Sequence, residues 1–378
     1  MSIGQRIDQT IREIPPAAQR TPRVLDAMRA VPRHPFIPAY AQALLGPAEI
    51  ERMIDLDADP DTWWDAVYSD SVIVTQVDDG AGAIKPGADT PTSSASAPST
   101  VADLLGWLNP EPGQRVLEIG TGTGWTAALL SHLVGERGTV TSIEVDATVA
   151  EQAAKNLATA GARPHLIVAD GAGGCAQRAP YDRVHVTCGI RDVPYAWVEQ
   201  SRPGAVIVLP YCPGLGNGHG LRLVVMPDAT AHGRFTGFAA YMMMRSQRPP
   251  TPVRDDGGGR DLTTRIDPRT IAFAAPGALL AMAALTGLQV TYKQQDDQVL
   301  LWAMDQDDPG IWTLVVHEPG RAEFEVYELG DRPLWDEVTD AYFRWVSWGE
   351  PGRDRFGMTV TPEGQRIWLD DPERGRLA

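Results

Sequence analysis

The sequence is poor in residues that staple or metallate small folds. Its 378 residues hold three cysteines, Cys175, Cys188 and Cys212, an odd number at wide spacing with no CxxC. That excludes a disulfide framework and argues against a thiolate metal site, leaving them as small buried residues. The seven histidines are equally scattered, with no HExxH and no paired metal spacing, so no metal is expected. Positive charge is short: 33 Lys and Arg against 49 Asp and Glu, a formal net charge of −16. Such a surface repels a phosphate backbone, and nucleic acid is not an expected partner. No stretch approaches the roughly 18 uninterrupted apolar residues of a membrane helix. The opening MSIGQRIDQTIREIPPAAQR is charged and lacks an apolar h-region. A soluble, cytoplasmic protein with no membrane partner is expected, and no repeat of fixed period is present.

What is there is enough for real cores: 43% hydrophobic and 22% charged residues, over a length that suggests two domains. The first 50 residues read as helices broken by proline, IDQTIREI, VLDAMRAV and AYAQALLG. An acidic segment with paired Trp63 and Trp64 and the β-rich SVIVTQV complete an N-terminal helical region, 1–75. Residues 76–98 read as loop by every local signal, with a mobile lid up to about Ser93. From residue 99 to 248 the pattern alternates: helix VADLLGWL, strand RVLEIG, helix TAALLSHLV, strand TVTSIEV, helix ATVAEQAAKNLATAG, strands PHLIVAD and RVHVTCG, helix YAWVEQ, strand AVIVLP. Such alternation predicts an α/β, doubly wound parallel sheet of Rossmann-like type. Thr100 and Asp103 read as a capping-box-like start to VADLLGWL. Residues 249–264, rich in Pro, Gly and charge, read as a linker. Residues 265–378 read as a C-terminal α+β domain whose aromatic helix PLWDEVTDAYFRWVSWG turns Leu334, Val338, Ala341, Tyr342, Trp345 and Trp348 to a core.

The strand RVLEIG runs into Gly120-Thr121-Gly122-Thr123-Gly124 and then Trp125. Glycines at a strand-to-helix turn let a ligand approach the backbone where doubly wound sheets hold nucleotides. A dinucleotide fingerprint needs its third glycine at position 125, so NAD is disfavoured. Glu118 within the strand and Glu144, followed by Val145 at the end of the next, are read as two acids facing one crevice. A carboxylate at Glu144 can take both ribose hydroxyls, and Asp170-Gly171 closes the third strand where an adenine amino group could donate. Acids without a phosphate-binding lysine suit a cationic nucleoside, and S-adenosylmethionine is one.

These residues carry a family likeness. VLEIGTGTGWTAALL, the Asp170-Gly171 pair, APYDRVHV at 179–186, AMRAVPRHPFIP at 27–38, YSD at 68–70 and QSRPGAVIVLP resemble class I methyltransferases, in particular protein-L-isoaspartate O-methyltransferases. Ser94-Ala-Ser96-Ala97-Pro98 sits where that family has its serine-alanine-proline motif. The resemblance covers residues 20 to about 245 and implies S-adenosylmethionine as donor, S-adenosylhomocysteine as product, Ser96 as the catalytic serine, and an Asp- or isoAsp-bearing peptide or protein as substrate; the Ser94 hydroxyl is read either as assisting Ser96 or as loop filler.

The sequence departs from the pattern in two places. Ser99 stands where a histidine is common, and more than 100 residues follow that ordinary repair enzymes of the family are expected to lack. Such an extension resembles actinobacterial FxLD-type relatives that methylate a chosen aspartate in a lanthipeptide, lasso peptide or graspetide, the ester collapsing to aspartimide or isoaspartate. The C-terminal domain is then a candidate for peptide recognition. Thr187-Cys188-Gly189 replaces the Asn/Asp-Pro-Pro-aromatic motif of amine-directed enzymes and favours an oxygen acceptor. Three functions stay open: a peptide-tailoring aspartyl methyltransferase, an isoaspartate repair methyltransferase, and a cofactor-binding interaction protein without turnover.

Overall fold

Short apolar runs bounded by turn residues become buried strands, and longer amphipathic runs become the helices that cover them. The computed structural model describes residues 1–377 except 15, 16, 18, 19, 46–49, 87–89, 215–217, 256, 375 and 376. The chain divides into one unit of residues 1–188, 194–209 and 224–229 and a second of residues 189–193, 210–223 and 230–378.

The first unit begins with α1 (Ile3–Glu13), started by a reciprocal Ser2–Gln5 capping box, and α2 (Pro22–Ala30). Then come β1 (Tyr40–Leu45), β2 (Ile50–Asp55), α3 (Pro60–Val67), β3 (Val72–Val77) and β4 (Pro91–Ala95). The four strands form an antiparallel sheet in the order β2-β1-β3-β4. AYAQALLG, expected as a helix, is strand up to Leu45. It lies between β2 and β3, and pairing on both edges overrides the helix propensity of Ala, Leu and Gln. The expected loop 76–98 also needs correction. Its residues 91–95 are β4, with Val74 opposite Ser94 and Ile73 opposite Ala95. A lid reaching Ser93 is therefore ruled out for 91–93, while 87–89 lie outside the described residues.

The alternating stretch follows as expected: α4 (Pro98–Leu108), β5 (Arg115–Ile119), α5 (Trp125–Val134), β6 (Thr139–Glu144), α6 (Ala147–Thr159), β7 (His165–Val168), β8 (Tyr181–Val186), α7 (Tyr195–Glu199) and β9 (Ser201–Tyr211). Within this unit the strands are parallel in the order β9-β8-β5-β6-β7. The order reverses at β5, which puts a crevice at the carboxyl ends of β5 and its neighbours. The start of α4 is another correction. Its N-cap is Ala97 with Pro98 as the first helical residue, so the helix begins before Thr100. Asp103 is taken instead by Arg20, Nε and Nη2 donating to Oδ1 and Oδ2 at 2.6 and 2.7 Å with little exposure on either side chain.

The second unit contains β10 (His219–Val225, through Leu223), β11 (Ala231–Phe238), β12 (Arg260–Thr264), α8 (Arg269–Ala272), α9 (Pro276–Thr286), β13 (Leu288–Gln295), β14 (Gln298–Asp305), β15 (Trp312–His317), β16 (Phe324–Leu329), α10 (Leu334–Ser347), β17 (Phe356–Thr361) and β18 (Gly364–Leu369). An antiparallel sheet in the order β12-β16-β15-β14-β13 packs against α9 and α10. Leu334, Val338, Ala341 and Trp345 of α10 are buried as expected, with Tyr342 and Trp348 half-buried. The expected boundaries shift, because 260–264 of the expected linker is β12, paired with β16. The β10–β11 hairpin, expected inside a core ending at 248, contributes β11 to this unit, where β11 pairs with β17. Residues 260–378 thus lie in one compact unit together with 189–193, 210–223 and 230–259. Among the described residues no helix is long and apolar enough to cross a membrane.

If Asp103 serves Arg20 rather than a helix cap, Asp103→Asn and Arg20→Met should each lower the unfolding free energy by about 1–3 kcal/mol. In chemical denaturation the double variant should lose little more than either single one.

Candidate active site

The turn after β5 is built from backbone. Gly120, Gly122 and Gly124 all have positive φ (+91°, +54° and +91°), the left-handed region that favours glycine. At Gly120 the space is closed as well, since a Cβ would sit 2.6 Å from Thr187 Oγ1. That hydroxyl donates to the Ile119 carbonyl at 3.0 Å and to the Gly120 carbonyl, locking the end of β5 to the end of β8. Thr123 is held through its carbonyl, which accepts from Asn156 Nδ2 of α6 at 3.0 Å. Thr121 Oγ1 lies 2.6 Å from Ser142 Oγ of β6.

The acids divide into two environments. Glu144, at the end of β6, accepts from the Gly122 N–H at 2.9 Å through Oε2 and from the Asp146 N–H at 3.1 Å through Oε1, with 9% exposure. Glu118 is fully buried, so the expectation that both acids face an open crevice is corrected. Its Oε2 accepts from Ser142 Oγ at 2.5 Å, Oε1 has no partner among the described residues, and burial pushes its carboxyl up to about 8. Val145 is exposed. Asp170, one residue beyond the end of the Ala169 pairing to Glu144, is exposed and accepts from the Ala172 N–H at 2.9 Å. Gly171 is buried, where a Cβ would lie 2.5 Å from Ile119 Cγ2, and its carbonyl accepts from Trp197 Nε1 at 2.8 Å. Glu144, Asp170 and the glycine loop thus converge at the carboxyl ends of three adjacent strands.

The serines arrive from the other sheet. Ser93 and Ala95 are buried, while Ser94 and Ser96 are half-buried at alternate positions, and neither hydroxyl has a hydrogen-bond partner among the described residues. A Cβ at Gly122 would lie 3.5 Å from the Ser94 carbonyl oxygen, so β4 runs against the glycine loop. Ser99 donates its N–H to Asp70 Oδ1 at 2.8 Å. Two residues that local sequence patterns do not single out hold this corner, Asp70 and the buried Arg33. Both lie in segments picked out only by the family likeness. Near them His34 Nδ1 sits 2.7 Å from the Tyr68 hydroxyl, and Trp64 stacks on the Tyr68 ring.

A carboxyl raised from 4.5 to about 8 binds its proton more tightly in the folded chain than in the unfolded one. Stability from Glu118 is therefore fully present below pH 4.5 and lost as pH rises through about 8. Glu118→Gln should remove that loss. The melting temperature of the variant should gain on the wild type between about pH 5 and 8 and run parallel above, read by calorimetry without ligand.

The Protein-L-isoaspartate(D-aspartate) O-methyltransferase (PCMT) family model matches residues 60–222. The protein-L-isoaspartate O-methyltransferase of Thermotoga maritima is 37% identical over 145 residues, 38% of this chain and 43% of its own length. That of Pyrococcus horikoshii is 42% identical over 116 residues, 30% of this chain and 52% of its own. The chain therefore spans about half the length of these two relatives. A solved structure named protein-L-isoaspartate O-methyltransferase aligns with 98% of this chain and 100% of its own at a TM-score of 0.56 and 19% identity, a likeness of fold. The Methanopyrus kandleri protein-L-isoaspartate O-methyltransferase is 35% identical over 193 residues, half of this chain and 70% of its own, and the chain belongs to that family.

Proposed function

We propose that the chain is an S-adenosylmethionine-dependent carboxyl O-methyltransferase acting on isoaspartyl or aspartyl carboxylates in peptides or proteins. One observation carries this reading: β4, which bears Ser94 and leads directly into Ser96, abuts the glycine loop, Gly122 lying against the Ser94 carbonyl. The residues fit the donor. Glu144 and Asp170 are acids at the rim of the loop, and each Glu144 oxygen keeps acceptor capacity for a ribose hydroxyl beyond its one backbone bond. Bound there, S-adenosylmethionine would supply a methyl group on a cationic sulfur and leave as S-adenosylhomocysteine.

The chain's own part is alignment. A carboxylate with a pKa near 4 is already ionised at neutral pH and needs no general base. The Ser96 hydroxyl donates to one carboxylate oxygen and leaves the other free to form the O–C bond, while the C–S bond breaks and its electron pair stays on sulfur. Ser94, two residues earlier at the end of β4, assists in holding the acceptor. The gain comes from orientation of two bound partners. In the resulting ester the following backbone nitrogen can displace methanol, a step that needs no side chain, so catalysis ends at the ester.

A narrower reading, methylation of a chosen aspartate in a ribosomally made peptide, draws its support from Ser99 in the place of the family histidine. The C-terminal portion lends it less, since a solved structure named protein-L-isoaspartate O-methyltransferase shares the fold over nearly the whole chain. We assign peptide recognition to the second unit on its alternating strands, whose half-buried Trp302, Leu314 and Trp312 present apolar surface away from the buried face.

Labelled cofactor with matched Asp and isoAsp peptides, read by mass spectrometry, tests both readings. Label on isoAsp peptides of varied sequence is the expected result. Label confined to one Asp peptide supports tailoring, and no label on any peptide overturns both in favour of a cofactor-binding protein without turnover. Ser96→Ala should lower kcat about 10- to 100-fold with cofactor affinity kept. Unchanged turnover would remove Ser96 from the reaction.

A further inference from the structure

Arg33 is 2% exposed, yet no carboxylate accepts from it among the described residues. Its guanidinium is spent on backbone instead. Nη1 donates to the Val67 carbonyl at 3.1 Å, and Nη2 to the carbonyls of Ser71, Ala95 and Ser96 at 2.8, 3.0 and 2.9 Å. These acceptors come from the end of α3, the approach to β3 and the end of β4. The guanidinium carbon lies over the Trp125 ring, 5.5 Å from its centroid. Trp125 is the first residue of α5, directly after Gly124, and its Nε1 donates to the Val31 carbonyl at 3.1 Å. One side chain therefore touches both the backbone of the candidate serine and the residue that ends the glycine loop.

The chemistry chosen for this position is costly. Burying a cation without an ion pair opposes folding, and an apolar residue of similar size would fill the space with less penalty. Burial lowers the Arg33 pKa to about 10, with the nearby Asp70 charge opposing the fall, so the group stays protonated at neutral pH. What a planar cation offers, and an apolar side chain or an ammonium does not, is several donors in a fixed plane that also stacks on an indole. Asp70 completes the arrangement from the other side by accepting the Ser99 N–H. A cation on the carbonyls of 95 and 96 and an anion on the N–H of 99 fix both ends of the Ser96 segment while leaving its hydroxyl free.

We propose that Arg33 is the positioning residue of the transfer: with Asp70 it clamps residues 95–99 and, through Trp125, sets the spacing between the Ser96 hydroxyl and the glycine loop. This rests on the methyl-transfer reading above. The clamp itself is a statement about backbone and is measurable without turnover.

The test uses the full chain with Arg33→Lys, Arg33→Met and Asp70→Asn, each assayed well below its own melting temperature. Lysine keeps the charge but has three donors on one atom and cannot span four carbonyls. Arg33→Lys should lower kcat on an isoaspartyl peptide about 10- to 100-fold, with the calorimetric Kd for S-adenosylmethionine and the peptide KM each within about threefold of wild type. Arg33→Met should lose more than Arg33→Lys, and Asp70→Asn, which keeps an oxygen for the Ser99 N–H, should lose less. Amide exchange should quicken at 95–99 in Arg33→Lys and stay unchanged in α6. A wild-type kcat in Arg33→Lys, or a fall matched by an equal loss of cofactor affinity, overturns the proposal. If Arg33→Met does not fold, Arg33→Lys and Asp70→Asn carry the comparison. If the wild-type chain transfers no methyl group, the functional reading fails and exchange alone judges the clamp: unchanged rates at 95–99 overturn it, and faster rates confined there uphold it.

Discussion

The hydrogen bond from the Gly122 N–H to the Glu144 carboxylate ties the turn after β5 to the end of β6, and the site is arranged around that tie. It can form because the turn is left-handed at three glycines, which lets the backbone fold back on itself without side chains in the way. With Gly122 held, Thr121 reaches Ser142, the next glycine starts α5, and β4 can run close alongside. A side chain at Gly120 would strike Thr187 and push β5 from β8, so the same constraint also keeps the parallel strands in register. Geometry at the ligand face and packing in the sheet are one requirement.

Beneath this turn the interior polar groups are kept neutral. Glu118 holds its proton, and His185, opposite it on β8, is pushed down to about 3 by burial and stays uncharged. His219 in the second unit behaves the same way, against Phe235. In a low-dielectric interior an unpaired charge costs far more than a neutral polar group, so titration gives way first. Arg33 does not follow this rule, because converging carbonyl dipoles replace the water it loses.

The parallel core was legible because its signals are local: apolar runs such as VLEI and VIVL, glycine at the turns, and helices of matching period. The glycine loop, Glu144 and Asp170 were legible for the same reason, as their spacing follows from the strand–turn–helix repeat. What was misread lies where a partner distant in sequence decides. AYAQALL has the composition of a helix and becomes an inner strand between β2 and β3. PTSSA has the composition of a loop and becomes β4 on β3. Asp103 sits three residues after a threonine as a capping box would have it, yet Arg20, more than 80 residues away, claims it. The burial of Glu118 was not visible either, since an acid in an apolar strand reads alike whether it faces a crevice or a closed layer. Arg33 binds carbonyls, which every residue carries, and so leaves no complementary mark elsewhere in the chain.

The pairing of β11 with β17 has a consequence for biosynthesis. Ala231 of one strand meets Val360 of the other, about 130 residues later. At translation rates of about 5–20 residues per second, β11 waits roughly 6 to 25 seconds with that edge unpaired. An open edge is a template for strand addition by another chain. Closing this sheet with its late strand therefore lengthens the time for which one edge of β11 stands open during synthesis.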